Sequence, residues 1–187
     1  MATSSRKRTN SRGRTAGRSR KDAIALLKQD HKNVKQLLSR LEATTEQETN
    51  ERKRLLADIE EQVKAHTKIE EEIFYPAFKE AIESESDEHL YFEALEEHHV
   101  VDLVMPEIKS TNTSSDEFAA KAKVLKDLIE HHAEEEEKQM FPKARKLMGA
   151  AQLRDLGKEL EERKHELTSS TWGRAVQAVA GQRRRAA

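Results

Sequence analysis

The chain has 187 residues, 35% of them hydrophobic and 4% aromatic against 37% charged, with a formal net charge of −1. Such an apolar fraction serves narrow stripes on long helices better than a thick sheet-centred core, so the composition selects an all-α class with a strongly solvated exterior. No cysteine occurs, which excludes disulfides, thiolate zinc sites, iron-sulfur clusters and cysteine nucleophiles and leaves nitrogen and oxygen as the only ligands for a metal.

In chain order, residues 1–20 carry Arg6, Lys7, Arg8, Arg12, Arg14, Arg18 and Arg20 with no acid. This Ser/Gly/Arg-rich stretch reads as a disordered basic tail, with contact to nucleic acid or an anionic membrane surface as its alternative role. It lacks the apolar core of a secretory signal, and no stretch approaches the roughly 20 apolar residues of a membrane span, so a cytoplasmic location is expected.

From Asp22, Ile24, Leu27, Val34, Leu37, Leu38 and Leu41 recur at the spacing of one buried helical face, which predicts helix one. A polar loop, 43–50, precedes helix two, marked by Leu55, Ile59, Val63, Ile69, Ile73, Phe74 and Phe78 and ending near Ile82. The polar cluster 83–87 breaks the pattern, and Leu90, Leu95, Val101, Val104, Met105 and Ile108 mark helix three. After a Ser/Thr/Asn loop at 110–115, Ser114 with Glu117 three residues on reads as a capping box for helix four. That helix runs to Met148, where Gly149 suits a helix end. A short accessory helix within 150–168 follows, then a flexible basic tail, 169–187, with Arg174, Arg183, Arg184 and Arg185. Pro76 and Pro142 fall inside helical patterns and are expected to kink them, because each lacks an N–H and its ring crowds the preceding turn. Short connections between long helices make residues 22–148 one antiparallel up-down four-helix bundle.

An internal repeat carries the chemistry. His66, Glu70 and Pro76 recur as His132, Glu136 and Pro142 at identical spacing. Asp30 and His31 with their following apolar residues likewise parallel Glu97 and His98. Two helical hairpins related by nearly one offset point to a duplicated half. Residues four apart lie one turn above each other, so His66 with Glu70 and His132 with Glu136 each face one site, while His31 and His98 extend the apolar stripes of helices one and three toward the core. A single histidine of this kind is more often a surface or satisfied core residue, and acidic runs are usually solvated; four histidines at paired offsets are not explained that way. Imidazole and carboxylate ligands suit iron or manganese, and two glutamates with two oxygens each can bridge a pair of cations.

These segments resemble the hemerythrin HHE cation-binding family. The DH of QDHKNVKQLL, the HxxxE of HTKIEEEIFYP, the EEH of LEEHHVVD and the HxxxE of HAEEEEKQMFP resemble its four ligand-bearing helices in order, over about Ile24 to Met148. The resemblance implies a hemerythrin-like bundle in which His31, His66, Glu70, His98, His132 and Glu136 hold two iron ions joined by an oxo or hydroxo bridge, with the glutamates bridging. It implies a non-haem di-iron protein that binds dioxygen or a related diatomic in sensing, storage or delivery. The alternatives are an enzyme acting on peroxide or nitric oxide at the same centre, or an iron donor for iron-sulfur cluster repair. Oxygen-carrying hemerythrins place a further histidine one turn after the helix-three histidine, where this chain has Asp102. Asp102 either coordinates as a carboxylate or leaves an open position that favours oxidation chemistry over carriage.

Two registers stay open, because neighbours on a helix point about 100° apart and only one of His98 and His99, and one of His131 and His132, faces the core. The repeat selects His98 and His132, while the longer His131-to-Glu136 spacing fits hemerythrins proper. His89 and His165 read as surface residues. Phe74, Tyr75, Met140 and Phe141 read as core packing, with the Tyr75 hydroxyl as the one group able to line the site. There is no G-x-S-x-G elbow, P-loop or Rossmann glycine fingerprint.

Overall fold

The computed structural model describes residues 21–185, with side chains over 21–169. Among the described residues every regular element is helical, and four rods pack as a bundle. The first rod is α1 (Ala23–Glu42). The second is α2 (Thr49–Ile69), a π-helical turn (Glu70–Phe74) and α3 (Tyr75–Ala81). The third is α4 (Glu85–Ser110). The fourth is α5 (Asp116–Glu135), a second π-helical turn (Glu136–Met140) and the start of α6 (Phe141–Arg185). Each rod runs antiparallel to the one before it, because the connections are only a few residues long.

Local chemistry fixes the rod ends. The Asp22 carboxylate accepts the Ala25 N–H at 2.8 Å and caps α1. Ser84 caps α4, and Glu85, Asp87 and Glu88 in its first turn complement the helix dipole, so this rod starts inside the polar cluster that the sequence marked as a break. At α5 the cap is Ser115, whose hydroxyl oxygen accepts the Phe118 N–H at 3.2 Å. Ser114, the expected cap, is turned instead to the Asn112 side chain. Buried Arg52 ties the far ends of both hairpins together, donating to the Thr44 and Thr113 carbonyls and lying over the Phe118 ring.

The two prolines act through widened turns. Tyr75 N–H reaches the Glu70 carbonyl and Phe141 N–H reaches the Glu136 carbonyl, each five residues back, immediately before Pro76 and Pro142. The missing proline N–H is thus accommodated by one extra residue per turn, and that turn begins at the two repeated glutamates.

Gly149 breaks α6 at the expected place with φ 71° and ψ 169°, a conformation essentially reserved for glycine. The helix after it is neither short nor confined to 150–168: it continues to Arg185, through the stretch read as a tail. Alanine-rich sequence at 175–180 favours helix there. Leu153, Leu156 and Leu160 bury themselves against the bundle, and a Cβ on Gly157 would lie 2.6 Å from the Lys21 carbonyl oxygen, so only glycine admits this approach. Residues 1–20, read as the other tail, lie outside the described residues.

The apolar core is split. One cluster, around Ile24, Leu27, Phe74, Tyr75, Phe78 and Phe141, fills one end. The other, around Leu38, Leu55, Ile59, Ile108, Phe118 and Leu125, fills the opposite end. Between them lies a buried layer of histidines and carboxylates.

Candidate metal centre

All four rods contribute to that layer. The structure brings together His31, His66, Glu70, His98, His132 and Glu136, whose relative exposures run from 0% to 6%. His31 Nε2 lies 3.1 Å from Glu136 Oε2, and His66 Nε2 lies 3.2 Å from Glu70 Oε2. His98 Nε2 is 3.5 Å from Glu70 Oε2, and His132 Nε2 is 3.6 Å from Glu136 Oε2. Ligand atoms of His31, His66, His132 and Glu136 fall within 4.8 Å of one another, as do those of Glu70, His98 and His132.

Outside this ring of inward nitrogens stands a ring of acids. Glu137 Oε1 lies 3.0 Å from His31 Nδ1, Glu71 Oε1 3.0 Å from His98 Nδ1, and Glu97 Oε2 2.8 Å from His132 Nδ1. Asp30 faces His66 Nδ1 at 3.8 Å. An acid on Nδ1 sets the tautomer and leaves the Nε2 lone pair free to coordinate. The sequence places Asp30 and Glu97 in the repeat, just before the histidines of rods one and three, without giving them a role; Glu71 and Glu137, within acidic runs that read as solvated, repeat as well and follow the glutamates of rods two and four.

Seven buried polar atoms among the described residues lack a hydrogen-bond partner: Asp30 Oδ2, His31 Nε2, both His66 nitrogens, both Glu70 oxygens and Glu136 Oε2. Buried polar atoms are normally satisfied, so a group of orphans made of imidazole nitrogens and carboxylate oxygens is the donor set expected where a cation belongs. Electrostatics agree. Burial pushes the Glu70 carboxyl well above the ordinary carboxylate range, and Glu136 beside it pushes further. Burial acts to raise Glu136 too, but His132 and His31 outweigh it and hold that carboxyl low.

The alternatives fall away from the layer. On α4 the buried positions are Ala94, His98, Val101, Met105 and Ile108, alternating steps of four and three, so the step after His98 brings Val101 inward and leaves Asp102 exposed. On α5 the same alternation through Leu125, Ile129, His132 and Glu136 leaves His131 64% exposed, near Glu97 and Glu135. His89, His99 and His165 are exposed. Tyr75, read as packing, does line the site: its hydroxyl donates to Glu136 Oε1 at 2.9 Å and lies 3.4 Å from His98 Nε2. Its ring stacks on His98, and Phe141, its counterpart in the repeat, stacks on His31.

Comparison with known proteins places this geometry among relatives. The family model of the Hemerythrin HHE cation binding domain matches residues 22–144. A Hemerythrin HHE cation binding domain-containing protein from Mycobacterium kansasii has a similar solved structure, with a TM-score of 0.70 and 25% identity over 80% of this chain and 89% of that one. A DNA nickase from Nostoc sp. is 24% identical over 156 residues, 82% of this chain; the chain spans 42% of that protein's length.

Proposed function

Because the chain belongs to the hemerythrin HHE cation-binding family, we propose that it is a non-haem di-iron protein that binds dioxygen or a related small diatomic, for sensing, storage or delivery. The observation that carries this reading is the set of orphaned nitrogen and oxygen atoms on His31, His66, Glu70 and Glu136, enclosed by side chains from all four rods. In this reading His31, His66, His98 and His132 would each offer Nε2, and Glu70 and Glu136 would offer carboxylate oxygens to hold the metal. Bound iron supplies the electrons that a diatomic accepts. Glu71, Glu97 and Glu137 fix their histidines, and the two apolar clusters keep bulk water out. A cavity of about 20 Å³ borders the layer, lined by Val34, Val63, Val101 and Ile129 beside the histidines. Its size is that of a water-sized molecule, which supports a small ligand.

A second reading, turnover of peroxide or nitric oxide, is favoured by the Tyr75 hydroxyl, a proton-bearing group inside the layer. The DNA chemistry named for the Nostoc relative does not suit this centre, because a phosphodiester cannot reach side chains that are at most 6% exposed. If the chain contacts nucleic acid at all, the arginines of the basic tails are the groups that would do it. Such contact should weaken steeply with added salt and vanish when those residues are removed.

Metal analysis with an absorption spectrum tests the main reading. Anaerobic iron loading should give two irons per chain and, in air, oxo-bridge bands. Protein that takes up no iron and gains no heat resistance from it would overturn the reading. Rapid peroxide consumption abolished by Glu70→Ala would favour the enzyme; a reversible spectral change without turnover would favour the binder.

A further inference from the structure

Three of the outer acids lie 2.8–3.0 Å from the histidine nitrogen they face, and the fourth, Asp30, lies 3.8 Å from His66 Nδ1, beyond hydrogen-bonding distance. The other oxygen of Asp30 lies 2.5 Å from Lys164 Nζ, which holds the carboxylate away from His66. Lys164 belongs to the helix after Gly149, which packs over α1 with Leu153, Leu156 and Leu160 buried. Asp30 is 7% exposed and Lys164 24%, so water and salt screen this ion pair weakly. Asp30 Oδ2 and His66 Nδ1, the two atoms left facing each other, are both buried and without a hydrogen-bond partner.

We propose that Lys164 is a positioning residue that competes with His66 for Asp30, coupling cation binding at the centre to docking of the C-terminal helix in opposite senses. The proposal rests on the cation-binding reading above. With a cation on its inner nitrogen, His66 becomes a stronger donor at Nδ1 and draws Asp30 toward it. The same positive charge repels Lys164. Both effects loosen the Lys164–Asp30 pair, and by reciprocity loss of that pair tightens cation binding by the same factor. In the other half, among the described residues, no lysine or arginine pairs with the matching acid: Glu97 lies 2.8 Å from His132, and its second oxygen lies 3.7 Å from the exposed His131.

The test is a calorimetric titration of the metal-free full chain with ferrous iron under anaerobic conditions. Lys164→Gln should tighten binding about three- to tenfold, less than the effect of removing a ligand's own outer partner, because Lys164 acts on His66 only through Asp30. Arg163→Gln, which removes the Arg163–Glu72 pair from the same helix without touching Asp30, should leave the affinity unchanged. Asp30→Asn should weaken binding about ten- to 100-fold, and in that background Lys164→Gln should add nothing, because its effect runs through Asp30. Amide exchange over 160–169 should quicken on iron loading. Unchanged or weaker binding in Lys164→Gln, or an effect that persists beside Asp30→Asn, would overturn the proposal while leaving the cation reading intact. A chain that takes up no iron overturns both.

Discussion

The two halves of the duplicated bundle, α1 to α3 and α4 to Gly149, present matching inner atoms in different surroundings. His31, His66 and Glu70 answer to His98, His132 and Glu136, and in each half the two imidazole centroids lie 4.7–4.8 Å apart. Around them the halves diverge. Tyr75 stands where the second half has Phe141, Asp30 is held off His66 where Glu97 engages His132, and only the second half runs on into a helix that crosses back over the first. The shared part is what a cation site demands of its ligands. The unshared part is free to tune one side of the centre against the other.

Exchanging the two glutamates for glutamines should break the apparent equivalence most strongly. In the metal-free chain Glu70 is held protonated by burial and by Glu136, whereas Glu136 stays ionised between His132 and His31. Glu70→Gln therefore mimics the form already present and should change metal-free stability by less than about 1 kcal/mol. Glu136→Gln leaves buried imidazoles without their counter-charge and should cost on the order of 3 kcal/mol or more. Urea unfolding of metal-free protein measures the difference, and iron uptake should be lost in both variants. Equal costs would mean that the halves are electrostatically alike.

The first half's own histidines split in the same way. Burial lowers the His31 pKa, but the adjacent Glu136 and Glu137 carboxylates outweigh it and raise the value to about 9. Burial dominates at His66 and lowers its value to about 4. As pH rises from 6.5 through 9, the folded chain keeps a His31 proton that the unfolded chain has released, so that stability is present below pH 6.5 and lost above, by roughly 3 kcal/mol in full. As pH falls from 6.5 through 4, the unfolded chain gains a His66 proton that the folded chain refuses, and stability is lost again. Melting curves of metal-free protein across this range should show both limbs. His31→Gln should remove the alkaline limb alone and His66→Gln the acid limb alone. Iron must displace the protons on His31 and Glu70, so its uptake at pH 7 should release about two protons per chain, measurable by calorimetry in buffers of different ionisation enthalpy.

What could be read from the residues follows the same division. The six inner side chains stand out because the repeat doubles each of them and because i, i+4 spacing has a direct geometric meaning on a helix. The bundle was legible for the same reason: its apolar stripes are periodic and its connections short. Asp30 and Glu97 stood in the repeat without a role, while Glu71 and Glu137 were hidden in acid-rich runs, where Glu71 and Glu72, or Glu136 and Glu137, look alike until the widened turns at Glu70 and Glu136 set which one points inward. Asp102 looked eligible because it lies one turn after His98, and His131 because of its longer spacing to Glu136; the alternation of three and four passes both by. Lys164 was not legible at all, because a lysine on a helix read as an accessory gives no sign that it reaches 2.5 Å from an acid on α1.

Tyr75→Phe is the finest test of the comparison, since it makes the two halves carry the same ring. The variant keeps the stacking on His98 and the burial against the apolar cluster, and loses only the hydroxyl that donates to Glu136 Oε1. Removing a hydrogen bond to an ionised group should cost about 1.5 kcal/mol of metal-free stability. Glu136, deprived of a donor but still beside His31 and His132, should remain ionised and available to hold a cation. Iron stoichiometry measured on the loaded variant should therefore match the parent, while peroxide consumption, if the parent shows it, should fall with the loss of the buried proton donor. A variant that binds fewer irons than the parent would place Tyr75 in the inner set and show that the halves differ in their ligands, not only in their surroundings.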